Sequence, residues 1–134
     1  MPSLALDAPA TYSSDQKRAF AERLGTVYAE VMETELETIT VIVHDGGAGT
    51  VWRCTAARPV PGALLMCDIR RGRPPEQRRR LCERMLLVCE EVLGIDPATL
   101  KIEFTQHAGD EFWREGGLSA DWTPSEAGGS PARA

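Results

Sequence analysis

"PSLALD" at residues 2–7 returns as "ALLMCD" at residues 63–68 when the chain is slid against itself by 61 positions, with Asp7 over Asp68. The match continues without a gap. Phe20, Leu24, Val27 and Val31 fall on Leu81, Met85, Val88 and Val92, and "ITVIV" from Ile39 falls on "LKIEF" from Leu100. Self-similarity at a fixed offset marks a repeated supersecondary unit. The chain therefore predicts two copies of one unit.

Each copy reads as strand, helix, strand. In the first, "SLALD" is a short apolar strand, and Ser13 with Gln16 forms a capping-box pattern at a helix start. Phe20, Leu24, Val27 and Val31 recur at i, i+4, i+7 and i+11, which predicts an amphipathic helix from about Ser14 to Met32. "TITVIVH" then has the β-branched content of a strand. In the second copy "ALLMCDI" is the strand, and Pro74 and Pro75 sit where a first helical turn tolerates proline. The helix runs from Glu76 to about Leu93 and stops at Gly94, ahead of "LKIEF". Arg78, Arg79 and Arg80 on this helix read as a solvated outer face.

Right-handed parallel β-α-β units in tandem predict an α/β domain, α+β by some schemes: a four-stranded sheet with two helices on one face. "LALD", "TVIV" and "LLMC" are apolar at successive positions, as in strands buried on both faces. Two helices cover one face, so other subunits are expected to cover the second. The domain spans 1–124, with repeat one at 2–45, repeat two at 63–107 and a C-terminal segment at 108–124. The Gly-, Ser-, Pro- and Ala-rich tail at 125–134 reads as disordered.

With 134 residues, 43% of them hydrophobic and 26% charged, the composition is that of one ordinary globular domain. A net charge of −5 argues against nucleic acid or an anionic membrane as partner. The sequence has neither an apolar run near the roughly 18 residues of a membrane span nor a signal-peptide pattern at its start. The expected location is the cytoplasm. Cys54, Cys67, Cys82 and Cys89 contain no CxxC pair and read as buried free thiols. His44 and His107 have no second ligand at metal spacing, so no metal is expected.

Two tandem β-α-β units, a proline directly after Met1 and arginines at the end of the third strand resemble the tautomerase superfamily. The likeness runs from Pro2 to about Trp122 and is greatest to the group of cis-3-chloroacrylic acid dehalogenase and malonate semialdehyde decarboxylase. It implies a homotrimer without a cofactor, with Pro2 in the place of the family's catalytic amino-terminal proline. "IRRGR" at 69–73 stands where the dehalogenase group has Arg-x-x-Arg, implying Arg70 and Arg73, and where the decarboxylase group has Arg-x-Arg, implying Arg71 and Arg73. "HDGGAGTV" at 44–51 is similar to the turn after the dehalogenase group's second strand. Tyr28 replaces that group's helix histidine and Glu103 its strand tyrosine. Its water-activating glutamate falls on Arg114, with Glu115 one residue on, and Glu37 is the counterpart of the decarboxylase group's acid.

These residue types suit proton transfer on a small acid. With Met1 removed, Pro2 presents a secondary amine, and an α-amino group titrates nearer neutrality than any lysine. Burial and neighbouring arginines both disfavour its ammonium form, as a base at neutral pH requires. Guanidinium groups bind a carboxylate in a planar fork and stabilise a forming enolate. The expectation is a tautomerase or isomerase acting on a small 2-oxo or enol carboxylic acid. Decarboxylation of a 3-oxo acid, hydration or dehalogenation of a 3-haloacrylic or acetylenic acid, and non-catalytic carboxylate binding by a trimer are the alternatives. The amine belongs to the first repeat and the arginine loop to the second, which gives one site per subunit.

Overall fold

A computed structural model describes residues 2–125. Strand β1 (Ser3–Ala8), helix α1 (Ser14–Met32) and strand β2 (Thr40–Asp45) form the first unit. Strand β5 (Ala63–Arg70), helix α2 (Pro75–Leu93) and strand β6 (Leu100–His107) form the second. Between them lies a hairpin of β3 (Trp52–Arg53) and β4 (Val60–Pro61), and a second hairpin of β7 (Trp113–Arg114) and β8 (Gly117–Leu118) follows. Neither two-residue ladder has an alternating pattern long enough to register in the sequence.

The helices start and stop where local chemistry dictates. Ser13 accepts the Gln16 amide hydrogen bond through its hydroxyl while the Gln16 side chain accepts from the Ser13 N–H, the reciprocal cap foreseen. Helix α2 takes Pro75 in its first turn and ends on Gly94, whose φ of 68° lies in the left-handed region. Both helices lay their apolar stripes on one sheet face, with Phe20, Leu24, Tyr28, Leu81 and Met85 against Leu4, Leu6, Leu65 and Cys67.

The sheet order is β2-β1-β5-β6. Within each unit the strands are parallel, and the two units meet along an antiparallel seam running from Ser3 opposite Asp68 to Asp7 opposite Leu64. That seam sets the beginning of β1 beside the end of β5.

The second sheet face is polar as well as apolar. Asp7 Oδ1 lies 3.0 Å from His44 Nδ1 on the neighbouring strand, and Asp68 is hydrogen-bonded by Thr105 with His107 Nε2 3.8 Å away. In the single chain the strands are therefore buried on one face only, as the alternating burial of β1 and β5 records. On the open side Asp7, Asp68 and both histidines stand among the apolar residues of these strands.

Other expectations need correction. Arg79 and Arg80 are solvated, but Arg78 turns back and donates to the Arg73 carbonyl at 2.7 Å and to Gln106 Oε1 at 3.3 Å. Cys67 and Cys89 are buried and Cys82 partly so, whereas Cys54 is exposed beside the β3 strand. Apart from Ser125, the tail read as disordered lies outside the described residues. Among the described residues no helix is long and apolar enough to cross a membrane.

Candidate active site

Pro2 is buried and its carbonyl accepts from the Thr40 N–H at 3.0 Å, which fixes it at the head of β1 between β2 and β5. Because Ser3 pairs with Asp68, Pro2 stands beside the Ile69–Arg70 end of β5, where the loop Arg71–Gly72–Arg73 begins. Helix α1 returns antiparallel to β1, so its last turns reach the same end of the sheet. Pro2, the arginine loop and the C-terminus of α1 are thus gathered by topology.

That helix end explains much of the arrangement. The last carbonyls of a helix have no partner within it, and here three successive ones are met by side chains from the other repeat and beyond. Gln77 donates to Val31 O at 2.9 Å, Arg73 donates to Met32 O through Nε and Nη2 at 3.1 and 3.0 Å, and Trp122 Nε1 donates to Glu33 O at 3.1 Å. Arg73 is 4% exposed, with its guanidinium carbon 4.9 Å from the Trp122 ring centre and 6.0 Å from that of Tyr28. A cation held over an aromatic face is stabilised by the ring quadrupole. Arg73 therefore serves the end of helix α1.

The C-terminal segment straps this corner. Arg70 Nη1 donates to Ala120 O at 2.8 Å, the Trp122 N–H to Arg71 O at 2.9 Å, and the Gly109 N–H to Asp121 Oδ1 at 2.6 Å. The approach is so close that a Cβ at Gly72, whose φ is 132°, would lie 2.2 Å from Trp122 O. Only glycine fits there. Neither Trp122 nor its strap was foreseen as part of the site; the signals that could have found them are the glycine between two arginines and the second of two tryptophans beyond the last repeat.

The remaining candidates separate. Tyr28 is fully buried, and its hydroxyl is a buried side-chain oxygen without a hydrogen-bond partner. Burial pushes its phenol up to about 12, against the pull of Arg73 and the weaker pull of Arg70. Arg71 is exposed, its backbone held by His107 O and the Trp122 N–H. Glu37 is exposed in a short 3-10 turn just before β2, near the gathered end. Glu103 is exposed mid-strand on the open sheet face opposite Met66, and Glu115 is exposed in the tight turn of the β7–β8 hairpin. Within one chain neither of the last two joins Pro2.

The internal repeat also builds a counterpart at the other end of the sheet. Ala63 takes the place of Pro2, Pro9 and Tyr12 those of Arg70 and Arg73, and Leu93 that of Met32. These four residues line a cleft of about 220 Å³ together with Gly62, Gly94 and Ile95. None of its lining residues carries a charge.

No protein-family model and no curated protein matches this chain. Solved structures do. N1, a member of the cis-3-chloroacrylic acid dehalogenase family, is 24% identical with a TM-score of 0.78 over 89% of this chain and 84% of its own. A fused 4-OT solved as a symmetric trimer is 19% identical with a TM-score of 0.76 over 88% of this chain and 95% of its own. The chain has the tautomerase-superfamily fold. A third structure with the tautomerase fold, Pt0534 inactivated by 2-oxo-3-pentynoate, is 22% identical with a TM-score of 0.75 over 88% of this chain and 95% of its own. The four-stranded sheet with two helices on one face is the tautomerase arrangement read from the repeat.

Proposed function

We propose that this chain is a cofactor-free, homotrimeric enzyme in which Pro2, after removal of Met1, moves a proton on a small 2-oxo or enol carboxylic acid. The observation that carries this reading is the burial of Pro2 at the head of β1, beside the loop that bears Arg70, Arg71 and Arg73. A secondary amine there is desolvated and lies near guanidinium charge, and both effects favour its neutral form. Neutral, it takes a proton from C3 of the acid; the C–H electron pair becomes the C2–C3 double bond and the negative charge moves to the 2-oxo oxygen. Arginine charge stabilises that enolate and binds the carboxylate. Protonation of the oxygen gives the enol, and the reverse sequence gives the keto acid.

The neighbouring structures support the substrate class. One of them was inactivated by 2-oxo-3-pentynoate, a 2-oxo acid, and another is a trimer. A trimer would also cover the open sheet face. Decarboxylation of a 3-oxo acid is the second reading, favoured by the position of Glu37 before β2 at the gathered end. Hydration or dehalogenation is less favoured, because Arg114 stands where the dehalogenase group has its water-activating glutamate and Glu103 where it has its strand tyrosine.

The test joins intact mass with turnover. A mass lacking Met1, conversion of an arylpyruvate between its keto and enol forms, and loss of at least about 100-fold in kcat for Pro2→Ala, the lower end of what a positioned proton-transfer group contributes, are expected. Release of carbon dioxide from a 3-oxo acid would move the assignment to decarboxylation. Carboxylate binding that survives Pro2→Ala, with no turnover in the parent, would make this a trimeric binding protein.

A further inference from the structure

Strand β2 ends the sheet order β2-β1-β5-β6, so the outer backbone of Thr40–Asp45 has no ladder partner among the described residues. Natural proteins cover such edges. Next to it Ala21, Gly25 and Thr26 of α1 face Leu36, Ile39 and Val41 across a groove of about 480 Å³. The matched positions of α2 carry the larger Cys82, Leu86 and Leu87, and Leu86 packs against the core. Glycine is a poor helix former, yet a Cβ at Gly25 would meet only Leu36 Cδ1, at 3.4 Å. The groove, rather than the packing of α1 on the sheet, accounts for the small residue.

The groove has an acidic rim. Glu22 stands in its wall and Glu37 beside Leu36 in the short 3-10 turn. The β3–β4 hairpin is opposite in charge: residues 49–62 hold Arg53 and Arg58 and no acid. None of these four charges is ion-paired among the described residues. Trp52 on the hairpin is 55% exposed, and its indole N–H already donates to Gly49 O at 3.0 Å. The ring can therefore be buried without stranding a donor. Trp113 is more exposed, but its hairpin carries Glu115 and follows Asp110 and Glu111, and like charges brought together weigh against a pairing with this rim.

The β3–β4 hairpin lies over the other edge of the sheet. Arg53 Nη1 donates to Ala98 O at 3.1 Å just before β6, and Trp52 shares a depression with Leu64 of β5 and Lys101 of β6. Hairpin and groove are thus separate patches at opposite sheet edges, and a contact between two such patches passes from copy to copy and closes a ring when the rotation allows. We propose that the β3–β4 hairpin of one copy docks on the β2 edge of the next, with Trp52 in the α1–β2 groove and Arg53 and Arg58 toward Glu22 and Glu37. The inference rests on the reading of this protein as a homotrimer and deepens it by naming the surfaces that meet. Tryptophan supplies the anchor, and the rim charges set partner and register.

Sedimentation equilibrium of the full chain, Trp52→Ala, Glu22→Arg and Trp113→Ala, each first shown to be folded by circular dichroism, tests this. The two docking variants change exposed side chains on opposite sides of the contact. A trimeric parent is expected, with the concentration for half-dissociation raised at least about tenfold in Trp52→Ala. In Glu22→Arg it should rise about threefold or more, an effect that shrinks in high salt, and in Trp113→Ala it should stay within about twofold. A trimer unmoved by Trp52→Ala or by Glu22→Arg, or dissociated as readily by Trp113→Ala, would overturn the docking and leave the homotrimer standing. A parent of another size that Trp52→Ala still dissociates would overturn the count of three and keep the docking. A monomeric parent would overturn both.

Discussion

Arg73→Met should destabilise the fold even without ligand. Arg73 places two N–H donors on Met32 O at 3.1 and 3.0 Å and its guanidinium 4.9 Å from the Trp122 ring centre, with 4% of the residue exposed. Hydrogen bonds from a charged donor contribute about 1.5–3 kcal/mol, and a desolvated cation over an aromatic face adds about 0.5–2. Part is regained because methionine fills similar space without the cost of burying a charge. The net loss is about 2–4 kcal/mol. Near this chain length each kcal/mol lowers the unfolding temperature by about 3–5 °C. Urea unfolding followed by circular dichroism measures it, with protomer concentration held fixed because assembly adds apparent stability. Arg73→Lys should recover little, since an ammonium does not reproduce the planar fork. Stability within about 0.5 kcal/mol of the parent, the ordinary range for a surface change, would refute the helix-capping argument and leave Arg73 as a ligand group alone.

Two other outcomes follow from local environments. Burial pushes the thiols of Cys67 and Cys89 up to about 12, so in native protein they should resist an alkylating reagent while exposed Cys54 reacts at once and Cys82 slowly; counting labelled sites by mass over time checks this, and early labelling of Cys89 would contradict it. Asp45 is held below the usual carboxylate range by the Tyr12 N–H first and by Lys17 second. A lowered folded pKa gives stability that is present above the unfolded value and lost as pH falls through the folded one. The gap between parent and Asp45→Asn should therefore stay constant above about pH 5 and close below the ordinary aspartate value of 3.8; a gap that widens in acid would contradict the sign.

The fold was legible because one offset aligned the four strands of the main sheet and both helices, and because Ser13, Gln16, Pro75 and Gly94 state their capping roles locally. The candidate site was legible only in part. Pro2 and the arginine run are adjacent in the fold because of the antiparallel β1–β5 seam, which the repeat alone does not specify. Residue type could not say that Arg73 and Gln77 would spend donors on the carbonyls of α1, since that pairing depends on how two helix ends meet in space. Trp122 was invisible for the same reason, its partners lying 89 residues away at Glu33 and on the glycine loop. Charge on the open sheet face was also masked, by strands whose apolar letters outnumber Asp7 and Asp68.

The uncharged cleft around Ala63 has a meaning for the history of such a chain. Duplicating a unit within one polypeptide copies its strands, its helix and its loops, but it cannot copy an amino terminus. If the chemistry depends on that terminus, the second unit inherits the architecture of a site and never its base. Its matching loop is then released from holding arginine, and here Pro9 and Tyr12 stand at the matched positions. Opening the chain before Ala63 and joining the old ends would move the chain start to that other corner, where Ala63→Pro, Pro9→Arg and Tyr12→Arg would be the first changes needed to match the Pro2 corner.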